Sequence, residues 1–137
     1  MTKGRYSMLQ DPAIRVPIAI SLGAIAGALC RYYLTIWSIQ RFGIAFPYGV
    51  FLINLSGCFL MGFLATWFVD QPTSPEVRLM LTTGFLGAYT TFSTYGLDTL
   101  NLLRTQNFSA AGLYWLGSAA LGVVFVQLGA MLARVGQ

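Results

Sequence analysis

The sequence predicts an all-α membrane protein with four transmembrane helices, on two observations. Only 9% of the 137 residues are charged and 56% are hydrophobic, which leaves too few charges to cover the surface of a soluble domain. The apolar residues also gather in four stretches, each about as long as the roughly 20 residues that one helix needs to cross a bilayer. We therefore expect one four-helix transmembrane domain that covers residues 1–137.

The first helix is expected at about residues 16–39 and contains Arg31. This run is long and lacks a small-residue cleavage site, so we expect a retained helix rather than a signal peptide. Arg31 has three open interpretations: snorkelling to the interface, pairing with Asp98, or attracting an anion. Gly23 and Gly27 form a small-xxx-small pair that suits close packing, either within one subunit or between two.

The second and fourth helices, expected at about residues 48–69 and 108–133, are uncharged but carry isolated polar groups. Asn54 is the one strongly polar residue of the second helix. Tyr114 and Ser118 lie four positions apart in the fourth helix and so share a face. Each group has a structural explanation, an interhelical or local hydrogen bond, beside a functional one.

The third helix, expected at about residues 78–103, is interrupted by poor helix formers in the segment GFLGAYTTFSTYGLD. Gly84, Gly87 and the threonines predict a break around residues 87–91. Irregular backbone at membrane depth is tolerated where it is buried in protein or lines a cavity. Such a break would free carbonyl oxygens, which suit a hard cation such as Na⁺.

Phe92 and Tyr95 follow the expected break at a spacing of three and project from one face. The positive edges of aromatic rings are weak, dry partners for an anion. A threonine-rich kink with two packed rings is the structural alternative.

The connections between the helices are short, and the positive charges flanking them are nearly balanced between the two sides. The positive-inside signal is therefore weak, and a chain that inserts in both orientations is able to form antiparallel dimers. No histidine is present and no nucleophile–base pair is evident, so we do not expect an enzyme.

The segment GFLGAYTTFSTY closely resembles the third-helix signature of the Fluc (CrcB) fluoride channels, GxxGGxTTFSTF. Weaker matches follow the same order: GAxxGAxxR from Gly23 to Arg31, NLSG starting at the second-helix asparagine Asn54, and the tyrosine and serine of the fourth helix. Two positions depart from the signature. Tyr95 stands where phenylalanine is usual, and Ala88 replaces the second glycine.

This resemblance implies an antiparallel, dual-topology homodimer in the cell inner (plasma) membrane, with two pores that export fluoride passively and relieve its toxicity. It implies a structural Na⁺ at the dimer centre, held by the backbone carbonyls of Gly87 and Thr90. It also implies fluoride, a second copy and the bilayer as partners, and no nucleic acid. The implied fluoride path comprises six residues, with Arg31 at an aqueous vestibule: Asn54, Phe92, Thr94, Tyr95, Tyr114 and Ser118.

Two other functions remain open. A small dual-topology multidrug or cation transporter would need an intramembrane acid, usually in its first helix, where this chain has Arg31 instead. A non-transporting membrane scaffold would explain the small residues, but not Asn54 together with a broken, hydroxyl-rich helix.

Overall fold

A computed structural model describes residues 11–135, which form helices and connections without strands. Three helices are long: α1 (Pro12–Phe42), α2 (Tyr48–Asp70) and α6 (Phe108–Val135). The third span lies between α2 and α6 and consists of α3 (Pro75–Leu79), a π-helix (Met80–Leu86), α4 (Gly87–Tyr89) and α5 (Phe92–Arg104). The predicted all-helical architecture is confirmed at this level.

The helix termini follow local sequence signals. Asp11 caps α1, because its side chain accepts a hydrogen bond from the Ala13 amide at 2.9 Å. Gly43 ends the same helix with a φ of 76°, a conformation that glycine adopts without steric cost. Ser74 caps α3 through the Val77 amide, with proline at the first helical position.

The third span breaks where the sequence predicts an interruption, but over fewer residues. Thr90 and Thr91 are extended, with φ/ψ of −78°/160° and −151°/118°. Gly87 was expected within the break, yet its φ/ψ of −62°/−36° are helical. The threonines therefore carry the interruption, and the prediction that Gly87 belongs to it is wrong.

Glycines let α1 lie directly against the π-helix. A Cβ atom at Gly23 would overlap the Met80 carbonyl oxygen, and one at Gly27 would overlap the Phe85 carbonyl oxygen. The small-xxx-small pair Gly23 and Gly27 of α1 therefore serves packing within the subunit. On the other side of the bundle, Gly62 of α2 and Gly129 of α6 allow an equally close approach of those two helices.

The bundle suits a membrane. Three helices, α1, α2 and α6, are long and apolar enough to cross a bilayer. The third span is divided by its break and does not present one continuous helix. Many large apolar side chains point outward, as expected for a surface facing lipid tails, among them Ile25, Leu29, Leu113, Leu116 and Val123.

Candidate functional site

The break is held in place by two side chains from neighbouring helices. Asn54 of α2 donates through Nδ2 to the Thr91 carbonyl at 3.0 Å and accepts through Oδ1 from the Thr91 amide at 2.9 Å. Arg31 of α1 donates through Nη1 to the Thr90 carbonyl at 3.3 Å. Buried backbone groups need partners, so these bonds stabilise an interruption that would otherwise be costly at membrane depth.

The second half of the broken span starts immediately after these bonds. Thr91 is the N-cap of α5, and its Oγ1 accepts from the Thr94 amide at 3.3 Å. The hydroxyls of Thr91 and Thr94 are 3.0 Å apart, and that of Ser93 lies 3.4 Å from Thr91. The amide-rich N-terminus of a helix carries partial positive charge, so the start of α5 is a favourable environment for an anion.

A groove of about 400 Å³ runs beside the break, between α2, the third span and α6. Four residues of the expected fluoride path line it, together with both residues expected to bind Na⁺: Asn54, Phe92, Tyr95, Ser118, Gly87 and Thr90. The lining contains no formally charged residue. An ion in this groove would meet apolar walls and a few neutral polar groups.

Two side chains that line the groove, Ser118 and Asn54, each have an O–H or N–H donor that is not used in a hydrogen bond within the described residues. The Ser118 hydroxyl is buried and has no partner within residues 11–135. The Asn54 carboxamide has two N–H donors and uses one of them on Thr91. The groove therefore offers neutral donors without a fixed cation.

The two aromatic rings of the expected path are adjacent but differ in burial. The ring centroids of Phe92 and Tyr95 are 5.5 Å apart. Phe92 is 84% exposed in the single subunit, whereas Tyr95 is 8% exposed. The Tyr95 hydroxyl donates to the Trp115 carbonyl at 2.7 Å, so its proton is already engaged.

Tyr114 and Thr94 lie outside the groove. Tyr114 is fully buried, and its ring centroid is 5.3 Å from that of Tyr95. Its hydroxyl donates to Asp98 Oδ2 at 3.3 Å. Thr94 and Asp98 line a separate cavity of about 200 Å³ near the ends of α1 and α2. The expected path residues are therefore divided between the groove, the core and this second cavity.

Arg31 contacts the break and not an acid. Its suggested partner Asp98 is bonded to Tyr114, and the ion pair found within residues 11–135 joins Arg15 and Glu76. Arg31 is partly buried and its guanidinium lies at the C-terminal end of α4. A cation there complements the exposed carbonyls of a helix end.

The possible cation ligands are backbone groups. In a continuous helix the Thr91 amide would bond to the Gly87 carbonyl, but here it bonds to Asn54, which frees that carbonyl. The Thr90 carbonyl already accepts from Arg31. Within the described residues, no group of three or more His, Cys, Asp or Glu side chains could hold a metal ion.

Sequence reasoning missed three parts of this site. Cys58 and Met61 line the groove about one helical turn apart on α2, and nothing in the sequence singled them out. The third is the anion-favouring N-terminus of α5, because the poor helix formers indicate free carbonyls at the break but not free amides. Thr91 was the available signal. Threonine is a common N-cap residue, because its hydroxyl accepts a hydrogen bond from the amide three residues later, here that of Thr94.

Comparison with known proteins shows that residues 18–130 match the family described as CrcB-like protein, Camphor Resistance (CrcB). A "Fluoride-specific ion channel FluC" of Trichormus variabilis is 58% identical over 130 residues, which covers 93% of this chain and 95% of the relative. A protein of the same name from a Synechococcus strain is 52% identical, covering 91% and 97%. Another from Chloroflexus aurantiacus is 48% identical, covering 85% and 94%.

Proposed function

Because this chain belongs to the CrcB-like family, we propose that it is a fluoride-specific ion channel, the activity for which its relatives are named. The groove beside the break is the observation that carries this proposal. It combines apolar walls with the free donors of Ser118 and Asn54, and no charged residue lines it. The protein conducts an ion and is not an enzyme.

Neutral donors explain how a strongly hydrated anion could both bind and leave. Fluoride must exchange its water shell for hydrogen bonds inside the pore, yet the exchange must not trap it. Hydroxyl and amide groups, the N-terminus of α5 and the ring edges of Phe92 and Tyr95 offer such partners without a fixed cation. No proton-coupling group is needed, so conduction is passive and exports fluoride down its gradient.

A second copy of the chain is proposed to close the groove. Phe92 is 84% exposed beside it, and Gly87 and Ser93 are exposed as well. The irregular backbone and the Ser93 hydroxyl beside it are polar, and exposed polar groups at membrane depth are poorly matched to lipid. The weak positive-inside bias suits an antiparallel partner, so we propose a dual-topology homodimer in the cell inner (plasma) membrane, with one pore beside each break.

A structural Na⁺ at the centre of this dimer is proposed on donor chemistry. The freed Gly87 carbonyl suits a hard cation. The Thr90 carbonyl suits it as well, but must share its oxygen with Arg31. Two copies would together offer four carbonyls, and the ion would fix the two breaks against each other.

The multidrug transporter and the scaffold are less well supported. Helix α1 carries no acid to bind a drug cation or a proton. A scaffold would not require an unpartnered buried hydroxyl beside a broken helix.

Fluoride efflux from liposomes tests the proposal. Purified dimers are reconstituted in fluoride-loaded and in chloride-loaded vesicles, and each ion is followed with a selective electrode. We expect rapid fluoride efflux and much slower chloride efflux. Folded dimers that release neither ion would favour the scaffold, and equal release would refute fluoride specificity.

A further inference from the structure

Ser38 is a buried donor that the proposed pore does not use. It lies on α1, near the end of the helix, and is 1% exposed. Its hydroxyl has no hydrogen-bond partner within residues 11–135. A buried hydroxyl without a partner is destabilising, so an unpaired one often indicates an absent water or ligand.

The first turn of α2 faces the same cavity as Ser38. Pro47 precedes this 23-residue helix, and no side chain caps it. The first helical bond runs from Phe51 to Pro47, so the amides of Gly49 and Val50 have no helical acceptor. Both residues are buried. The start of α2 therefore presents two amide donors and the positive end of a helix dipole.

These donors meet at the second cavity, of about 200 Å³, which Ser38, Gly49 and Val50 line together with Thr94 and Asp98. Three unpartnered donors and a positive helix end favour an anion over a cation. The Asp98 carboxylate opposes an anion, and its bond from Tyr114 offsets only part of that charge. The balance predicts weak anion binding, which suits an ion that must move on.

We propose that this cavity is a fluoride-binding site at the mouth of the pore, formed by the Ser38 hydroxyl and the Gly49 and Val50 amides. The proposal rests on the proposed channel function. Thr94 joins the cavity to the hydroxyl cluster that caps α5, so the site lies on the way to the groove. Here fluoride would exchange part of its water shell before it reaches Asn54.

The test compares Ser38→Ala with Thr35→Val. Thr35 lines the same cavity, but its hydroxyl already donates to the Arg31 carbonyl at 2.8 Å, so it is a matched control. Fluoride efflux is measured over a range of fluoride concentrations. Because one hydrogen bond to an ion is removed, we expect Ser38→Ala to raise the half-saturating concentration about tenfold. Thr35→Val should leave it unchanged. Equal values for Ser38→Ala and wild type, or equal rises in both variants, would overturn the site.

A thermal measurement keeps the inference separate from channel function. Fluoride should raise the melting temperature of wild type by mass action, and less so that of Ser38→Ala. Without fluoride, Ser38→Ala should melt no lower than wild type, because the hydroxyl that it loses is buried and has no partner. If wild type does not conduct fluoride, the channel proposal fails, and the fluoride-induced rise in melting temperature then tests the binding site by itself. An equal rise in wild type and Ser38→Ala would refute the site.

Asp98→Asn tests whether the ion in the cavity is negatively charged. Asparagine can still accept the Tyr114 bond but carries no charge. We expect the half-saturating fluoride concentration to fall, since the opposing charge is gone. A rise would show that the cavity does not hold an anion.

Discussion

The carboxamide of Asn54 pairs with both backbone groups of Thr91, at 2.9 and 3.0 Å. The two bonds replace those that a continuous helix would make at this position. Asn54 is therefore part of the backbone geometry of the site as well as a donor beside the groove. A change at this residue should alter the break and the conduction together.

Asn54→Asp should abolish fluoride efflux. The carboxylate keeps the size of the side chain but cannot donate to the Thr91 carbonyl, and it adds a negative charge to the anion's path. Loss of the donor to a buried carbonyl also costs about 1–3 kcal/mol of stability. Efflux and the free energy of unfolding are measured on the same preparation.

The control for this variant is Asn101→Asp, because Asn101 is an exposed residue of α5 away from the groove. It should retain efflux close to wild type. If Asn54→Asp also conducts normally, Asn54 has no part in the path.

Tyr95→Phe separates the ring from its hydroxyl. Tyr95 stands where the family signature has phenylalanine, and the proton of its phenol is donated to the Trp115 carbonyl. We expect efflux near that of wild type and a loss of stability of about 1 kcal/mol. A large fall in efflux with unchanged stability would instead assign the hydroxyl to the path.

Gly27→Ala should destabilise the subunit by about 1–3 kcal/mol, as overpacking of a tight contact does. The added methyl would overlap the Phe85 carbonyl oxygen and force α1 away from the π-helix. Gly96→Ala is the control, since no atom lies within 4 Å of a Cβ atom there. It should be neutral or stabilising, because alanine favours a helix. Equal melting temperatures for the two variants would refute the packing argument.

The helices and the presence of a break can be predicted from the local sequence, whereas the exact residues of the break cannot. Long apolar runs predict helices directly, and the threonines predict an interruption. The position of the break at Thr90 and Thr91 depends on Asn54 and Arg31, which are distant in sequence. Local propensity therefore located the interruption to within a few residues and wrongly included Gly87.

The π-helix (Met80–Leu86) had no signal in the local sequence either. It lies where glycines of α1 bring two backbones together, and such contacts are set by tertiary packing. Tyr114 shows the same limit. Its spacing from Ser118 predicted a shared face, but the side chain is buried against Asp98 and only Ser118 reaches the groove.

If the proposed dimer holds a structural Na⁺, removal of that ion should lower its melting temperature, and Arg31 should set how much Na⁺ is needed. A Na⁺ on the Thr90 carbonyl would lie close to the Arg31 guanidinium, which donates to the same oxygen at 3.3 Å, and the two like charges would repel by a few kcal/mol at an effective dielectric constant of about 20. Solvent lowers this value, because Arg31 is only partly buried.

We therefore expect Arg31→Gln to reduce the half-maximal Na⁺ concentration about tenfold. This concentration is measured from the melting temperature in Na⁺ titrations, with a large organic cation as the replacement ion. Arg41→Gln, which removes an exposed charge from the end of the same helix, should leave it unchanged. Indifference of wild type to Na⁺ would refute the ion itself. A dependence with the same midpoint in Arg31→Gln would keep the ion and refute the sharing of its carbonyl.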